Sequence, residues 1–306
     1  MPAEAVHLTC LRESAAAGAL PTPVRRALSR SEQSARLGAL FPDLPYFEAF
    51  ARELVRYVVG LPPRSSPWGA RTHEDPVRVL RAFVVRAARR EGADALVPRE
   101  DALAFALGFA SHLAVDRAMH PLVNFLADRD VAAKGGEHSA AHREVEKFQS
   151  ICFHERYLGA DMMGTRTLRG YLFVAGIDRL GSSPLAAMAR RAVADAFGGA
   201  PAERELAGWG RSFVHYTHVL ASPLGARVAP GAAKEAARPL YLHGPWGTFE
   251  RALEGAVAAS ARALEAVAGL FEAEGELDDA RARAALAGAL DEGTIDPPGS
   301  TFVPIG

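Results

Sequence analysis

The chain is poor in cysteine, and this scarcity excludes a fold held together by disulfide bonds. Its 306 residues include only two cysteines, Cys10 and Cys152, and neither belongs to a Cys-x-x-Cys pair. Two isolated cysteines cannot form a disulfide framework. A hydrophobic core must therefore hold the chain together, and a chain of this length can bury one large core or two smaller ones.

An excess of charge of one sign is also missing. The 35 lysines and arginines balance 36 aspartates and glutamates, which leaves a formal net charge of −1. Proteins that bind nucleic acid usually carry a basic patch or stripe. We therefore expect no stable complex with nucleic acid.

Long apolar runs are absent as well. No window of about 18 residues, the length of a membrane span, is free of both charge and histidine. The first residues lack the basic stretch and clean apolar run of a secretory signal peptide. We expect a cytoplasmic protein without a transmembrane segment, whose oligomeric state the sequence leaves open.

Strand-like alternation is nearly absent, whereas apolar residues recur with helical spacing along much of the chain. The clearest helical segments are residues 47–59, 75–90, 101–120, 139–158, 183–197 and 247–274. The sequence predicts an all-α protein, a single compact multi-helix domain over residues 1–306. Its motifs lie in residues 1–160, further helices follow in 160–306, and an irregular tail begins at about residue 291.

The stretch GFASHLAVDRAMHPLVNF, residues 108–125, is a mostly apolar helical segment that contains two histidines and an aspartate. Between residues 102 and 127 the only charged side chains are Asp116 and Arg117. A buried carboxylate is costly unless a cation, hydrogen bonds or a proton compensates it. Arg117 points about 100° away from Asp116 on a helix, so Asp116 needs another partner.

His112, Asp116 and His120 follow one another at four-residue intervals and share one helix face. Imidazoles and carboxylates are zinc ligands, which predicts a metal site. About 12 Å of helix rise separates the two histidines, too far for one ion with bonds of about 2.0–2.1 Å. If all three bind metal, at least two ions are needed and Asp116 can bridge them. Pro121 is expected to end or kink the helix at His120.

A second pair, His142 and Glu146, has the same spacing on another predicted helix. Taken alone, either pair equally suits a surface hydrogen bond or a buried histidine that its neighbours satisfy. The apolar setting of the first helix favours a metal site. Further candidates precede it, because His7 lies near the start, Asp43 lies in a turn between two prolines, and His73 lies just before a helix.

Taken in order, these motifs resemble the zinc-dependent phospholipase C family and its relatives, the single-strand-specific zinc nucleases. That family has an early His, a Pro-Asp turn, a His before a helix, His-x-x-x-Asp followed by His-Pro, and His-x-x-x-Glu or Asp. The matching elements here are His7, Pro42-Asp43, His73, HLAVD at 112–116, HP at 120–121 and HREVE at 142–146. The resemblance covers about the first 160 residues.

The resemblance implies an all-α fold with two to three zinc ions (Zn2+) at the bottom of a cleft. It assigns a first ion to Asp43, His73, His112 and Asp116. It assigns a second ion to His120, His142 and Glu146. A third ion would bind His7, a shared oxygen of Asp116 and the N-terminal amine.

Two features of this chain depart from the secreted members of the family. No leader is seen, and removal of Met1 would expose Pro2, which is closer to His7 than the amine is in those enzymes. The histidine of the HP motif follows Asp116 after only four residues, where the secreted phospholipases have a longer loop. His138 is therefore the alternative to His120.

The implied chemistry is zinc-dependent phosphodiester hydrolysis, in which a multinuclear cluster activates a water for attack on phosphorus. Asp43 would act as general base as well as ligand. Nearby Tyr46, Phe47 and Trp68 are candidates for a substrate pocket, although core or rim positions suit them equally. The substrate stays open between a lipid and a small or other non-lipid phosphoester.

A non-enzymatic interpretation also stays open, because the same fold could be retained as a metal-binding or structural protein without hydrolytic activity. Three protein ligands plus water would indicate a catalytic zinc, whereas a closed four-ligand shell would indicate a structural one. The chain has no Gly-x-Ser-x-Gly elbow and no glycine-rich phosphate loop. A serine hydrolase or a nucleotide-binding protein therefore has no support.

Overall fold

A computed structural model describes residues 4–17, 20–59, 66–228, 231–242, 249–272 and 277–290. Within these ranges the fold is all-α, as predicted, and contains no β-strand. The α-helices are α1 (Glu4–Ala17), α2 (Thr22–Arg30), α3 (Glu32–Leu40), α4 (Phe50–Val58), α5 (Pro67–Glu74), α6 (Pro76–Arg89), α7 (Arg99–Lys134), α8 (His138–Tyr157), α9 (Arg166–Tyr171), α10 (Pro184–Phe197), α11 (Glu203–Leu220), α12 (Pro223–Val228), α13 (Gly231–Tyr241), α14 (Phe249–Glu272) and α15 (Asp279–Leu286). Short 3-10 helices span Leu44–Phe47, Gly92–Leu96 and Ile177–Ser182.

The six predicted helical segments correspond to α4, α6, α7, α8, α10 and α14. Of the two outcomes expected of Pro121, an end or a kink of the helix at His120, the first is wrong, because α7 continues to Lys134. A proline in a helix removes one backbone hydrogen bond, and the turns beyond it are held by the buried side chains of Leu122, Val123 and Leu126. The irregular tail from about residue 291 lies outside the described residues, and the domain extent of 1–306 stays a prediction.

The longest helix, α7, lies at the centre of the fold. Helices α14, α3, α8, α6, α1 and α2 pack against it. Its side chains are buried almost without interruption from Ala102 to Asp116, as expected for a helix that is apolar on all sides. The polar side chains that it does bury, including His112 and Asp116, are therefore held in a rigid apolar frame.

Two short helices after α3 begin with well-matched capping residues. Ser66 caps α5 by accepting a hydrogen bond from the backbone N–H of Gly69 at 3.1 Å. Asp75 caps α6 through the backbone N–H of Arg78 at 3.3 Å, and a proline follows each cap at the first helical position. These caps fix the end of α5, where His73 lies in the last turn.

Helices α3 and α7 approach each other closely at two glycines. A Cβ atom on Gly38 would lie 2.0 Å from the carbonyl oxygen of Phe105, and one on Gly108 would lie 1.9 Å from that of Ala35. This close approach lets the carbonyl oxygen of Ala39 accept a hydrogen bond from His112 Nδ1 at 2.8 Å. The α3–α7 contact therefore orients His112 and places the turn that follows α3 beside it.

We expect Gly108→Ala to destabilise the protein by about 1–3 kcal/mol, because the added methyl group overpacks a backbone contact that cannot yield. The matched control is Gly269→Ala, on the exposed side of α14, where an added Cβ has no neighbour within 4 Å. That change should be neutral or stabilising by up to about 1 kcal/mol, because alanine favours the helix. Urea unfolding of both variants measures the difference, and equal stabilities would contradict the close-packing argument.

Candidate metal centre

The eight side chains predicted as metal ligands converge from five parts of the fold. They are His7 on α1, Asp43 in the turn after α3, His73 on α5, His112, Asp116 and His120 on α7, and His142 and Glu146 on α8. In the described part of the chain they form three groups of three, with one residue shared, and within each group the ligand atoms lie within 4.8 Å of one another. That these side chains bind metal stays a prediction, but the structure brings all of them together.

The first group contains Asp43, His73 and His112. Asp43 Oδ1 lies 3.3 Å from His73 Nε2 and 3.8 Å from His112 Nε2. The turn that carries Asp43 is bounded by prolines and closes with a hydrogen bond from the Asp43 N–H to Leu40 O at 3.1 Å. As predicted, the carboxylate is therefore presented from a short non-helical segment.

The second group contains His7, His112 and Asp116, and all three side chains are buried. His7 Nε2 lies 3.2 Å from Asp116 Oδ1, and His112 Nε2 lies 3.0 Å from Asp116 Oδ2. The two imidazole rings stack with their centroids 4.0 Å apart. The two oxygens of one carboxylate therefore face two different histidines.

The third group contains His120, His142 and Glu146. Glu146 Oε1 lies 3.6 Å from His120 Nε2 and 3.4 Å from His142 Nε2. The two rings are nearly perpendicular, with centroids 5.1 Å apart. Helices α7 and α8 thus contribute one histidine each to a shared carboxylate.

Asp116 connects the three groups. Besides facing His7, its Oδ1 atom lies 3.7 Å from His120 Nε2, whereas Oδ2 faces His112 on the side of the first group. One helix position therefore reaches all three groups through two oxygens. This matches the bridging role that the spacing of the α7 histidines requires if more than one ion is bound.

The outer nitrogens of three histidines are fixed by hydrogen bonds. His112 Nδ1 donates to Ala39 O at 2.8 Å, His73 Nδ1 donates to Gly69 O at 2.9 Å, and His142 Nδ1 donates to Asn124 Oδ1 at 2.8 Å. Because a carbonyl or amide oxygen can only accept, each Nδ1 carries the hydrogen. In the neutral imidazole, the form that binds metal, each Nε2 atom therefore presents its lone pair toward its group.

The buried carboxylates and imidazoles shift one another's pKa values. Burial by itself disfavours the charged form of His112, but the charges of Asp116 and Asp43 outweigh it and raise the pKa of His112 to about 9. Burial likewise disfavours ionised Asp116 and Glu146. Nearby histidines nevertheless hold the pKa of both carboxyls well below the usual range. The carboxylates are therefore ionised and demand positive charge.

The donor set and its geometry fit zinc. His112 Nε2 is buried and lacks a properly aligned hydrogen-bond partner, although Asp116 Oδ2 is 3.0 Å away. A ring nitrogen in this position is better placed to bind a metal ion than to donate a hydrogen bond. Histidine nitrogens and carboxylate oxygens are also the donor atoms of catalytic zinc sites. Zinc would supply the positive charge that the buried carboxylates demand.

A cavity adjoins the second and third groups. Four of the proposed ligands line it, namely His7, Asp116, His120 and Glu146, and the rest of its wall is mostly apolar. The apolar wall includes Val115, Met119 and Phe249. Side chains of both groups therefore border one common cavity.

The three aromatic residues named as pocket candidates occupy different environments. Tyr46 is 40% exposed, and its ring lies 5.0 Å from that of His73. Trp68 is partly buried, with the Arg71 guanidinium 5.6 Å from its ring. Phe47 is a core residue, 1% exposed and packed edge-on against Phe213, so it forms no accessible wall.

Sequence reasoning missed a buried acid beside the first group. Glu4 is 2% exposed and accepts a hydrogen bond from Tyr216 Oη at 3.2 Å. Burial is the main cause that raises its pKa to about 8, and the charge of Asp43 contributes in the same direction. Only the tertiary contact between α1 and α11 creates this pair, so no local sequence signal could have found it.

The remaining described histidines belong to none of the three groups, although the His138 ring lies 6.1 Å from that of His142. His138, the alternative to His120, lies 3.3 Å from Asp128 at an exposed position, and His215 and His218 are exposed on α11. His243 and the N-terminal amine are outside the described residues. Since His120 lies in the third group and His138 does not, the geometry favours His120.

His154 on α8 is buried, and neither of its ring nitrogens has a hydrogen-bond partner. Burial disfavours the charged imidazolium and lowers the pKa of His154 from 6.5 to about 4. Below pH 6.5 the unfolded chain therefore binds a proton that the folded protein excludes until about pH 4. Folding stability must fall as the pH decreases across this window.

We expect His154→Leu to remove this contribution. Relative to the variant, the wild type should lose on the order of 3 kcal/mol of unfolding free energy between pH 7 and pH 4. Denaturant unfolding of both proteins across this range, after metal removal, measures the difference. Parallel stability curves would show that His154 protonates in the folded state as easily as in the unfolded chain.

No helix in the described part of the chain has both the length and the apolarity needed to cross a membrane.

No curated protein and no solved structure matches the chain. The sequence model of one protein family, described as zinc dependent phospholipase C, matches residues 6–179, more than half of the chain. This match spans all eight converging side chains. The protein therefore belongs to the zinc-dependent phospholipase C family.

Proposed function

We propose that the protein is a zinc-dependent phosphodiester hydrolase with two to three zinc ions held by the eight converging side chains. The observation that carries the proposal is the convergence of the three ligand groups on Asp116. A single histidine–acid pair on a helix is common, but such a pair does not explain three groups that each place a histidine within 3.7 Å of the buried Asp116 carboxylate. Membership of the zinc-dependent family supports the same conclusion.

The proposed ligand assignment follows the groups. The first ion would bind Asp43, His73, His112 and Asp116 Oδ2, and the ion of the third group would bind His120, His142 and Glu146. An ion in the second group would bind His7 and Asp116 Oδ1. When bound, zinc supplies a water of lowered pKa and neutralises charge on the phosphoryl oxygens.

Asp43 is the proposed general base. Its Oδ1 atom faces both histidines of the first group, which leaves Oδ2 to take a proton from the attacking water. The pKa of Asp43 is lowered, since burial, which raises it, is outweighed by the charge of His112 and the hydrogen bond from His73. The carboxylate is thus ionised at neutral pH and ready to accept a proton.

The proposed substrate is a phosphodiester, either a phospholipid or a small soluble ester. Tyr46 and Trp68 are the aromatic side chains that could contact its non-phosphate part, because both lie on the side of the first group. Phe47 is not included, since it belongs to the core. A cytoplasmic location and the lack of a stable nucleic acid complex stay predictions.

Metal content tests the proposal first. We expect two or three zinc ions per purified chain by mass spectrometry, and Asp116→Ala should lose at least one because Asp116 reaches all three groups. His154→Leu is the control, a buried histidine outside the groups that should leave the zinc content unchanged. Less than one ion per chain, insensitive to Asp116→Ala and not restored by added zinc, would rule out the hydrolase.

The role of Asp43 has its own test. Asn keeps an oxygen ligand but cannot take a proton, so Asp43→Asn should retain most zinc while hydrolysis of a nitrophenyl phosphodiester falls by about 10²–10⁴-fold. Asp128→Asn, an exposed change on α7, should leave the rate unchanged. A zinc-loaded wild type that cleaves neither this ester nor a short-chain phospholipid would instead support the metal-binding, non-hydrolytic alternative.

A further inference from the structure

The polar face of α7 extends one helical turn beyond its last proposed ligand. Asn124 follows His120 by four residues, as His120 follows Asp116. An amide is not among the usual protein ligands of zinc, which are cysteine, histidine and carboxylate side chains. Asn124 lies in the same row of side chains as the proposed ligands, so a role other than zinc ligation is expected for it.

Helices α7 and α8 pair their polar side chains in antiparallel order. His120 faces Glu146 at 3.6 Å, Asn124 faces His142 at 2.8 Å, and Asp128 faces His138 at 3.3 Å. Residue numbers rise along α7 while they fall along α8. Asn124 thus lies between the third group and the Asp128–His138 pair at the exposed end of the two helices.

The Asn124 contact differs in kind from the equivalent contacts in the first group. His73 and His112 donate from Nδ1 to main-chain carbonyl oxygens, which no substitution removes. His142 donates to a side-chain oxygen instead. Its tautomer and ring orientation consequently depend on one replaceable residue.

We propose that Asn124 is a positioning residue that holds His142 in the Nδ1–H tautomer and thereby sets the zinc affinity of the third group. The amide oxygen only accepts, so the hydrogen on Nδ1 stays on the outer side, and neutral His142 can direct its Nε2 lone pair to an ion that Glu146 Oε1, 3.4 Å from Nε2, would also bind. Partners in this outer position typically change metal affinity by about 10–100-fold. The metal-affinity half of the proposal rests on the proposed function, whereas the tautomer half does not.

The test compares four full-length proteins: wild type, Asn124→Leu, Asn124→Asp and Asp128→Asn. Leucine has a similar shape but no acceptor, aspartate retains the acceptor, and Asp128→Asn alters the neighbouring pair with His138. Competition for zinc against a chromophoric chelator should show one ion bound about 10–100-fold more weakly in Asn124→Leu, with the other sites unchanged. Asn124→Asp and Asp128→Asn should bind all ions at least as tightly as the wild type.

A second readout uses the metal-free protein. Two-bond proton–nitrogen correlation spectra of labelled histidines should show a hydrogen on His142 Nδ1 in the wild type and in Asn124→Asp, whether or not Nε2 also carries one. Asn124→Leu should show a mixture of tautomers or a change to Nε2–H. This measurement does not depend on zinc binding or on activity.

The outcomes separate the two proposals. Wild-type zinc affinity and an unchanged His142 tautomer in Asn124→Leu would overturn the positioning role. A wild type that binds no zinc, but whose His142 tautomer depends on residue 124, would remove the proposed function and retain the orienting contact. If Asn124→Leu does not fold, Asn124→Ala takes its place, with loss of the Nδ1–H tautomer again the expected result.

Discussion

The structure depends on the buried carboxylate of Asp116, which needs nearby positive charge to remain ionised. Asp116 lies in the buried central helix α7 and is 5% exposed, so its negative charge costs several kcal/mol unless it is neutralised. Histidines from α1 and from both neighbouring turns of α7 surround it. Protonated imidazoles can provide this compensation, but a divalent ion would do so with a charge of two while the imidazole lone pairs bind it. The same carboxylate that makes the fold costly therefore favours a bound cation, which is what the proposed metal site supplies.

Rigid main-chain contacts hold the first group of ligands in place. The α3–α7 approach at Gly38 and Gly108 brings Ala39 O to His112, and the turn that leaves α3 carries Asp43. The capped end of α5 presents His73, whose outer nitrogen is held by its own helix. The third group relies more on side chains, because α8 reaches α7 through Asn124 and Glu146. We infer that the two parts of the site differ in how easily a single substitution disturbs them.

Sequence reasoning predicts the all-α class from local patterns, whereas the set of eight side chains follows from the resemblance of the motif order to a known family. Helical periodicity identifies the main elements, and an acid between two histidines in an apolar helix is unusual enough to be noticed. The convergence of the eight side chains supports metal binding, which only a measurement of metal content can test. Other features depend on tertiary contacts: α7 continues through Pro121 because surrounding helices bury its later turns, and Phe47 enters the core by packing on α11. Glu4 and Asn124 acquire roles only through residues that are distant in the sequence.

The second half of the chain carries no recognised motif, yet the site depends on it. Helix α14 packs along α7, where Ser260 donates a hydrogen bond to Ser111 Oγ at 2.7 Å, directly before His112. Phe249, at the start of α14, lines the cavity beside the second and third groups. From α11, Tyr216 donates to Glu4 beside the first group. These helices exclude water from Asp116 and His112, and this exclusion makes their charges interact strongly. The described helices that follow residue 180 therefore contribute to the low dielectric in which the proposed metal centre would act.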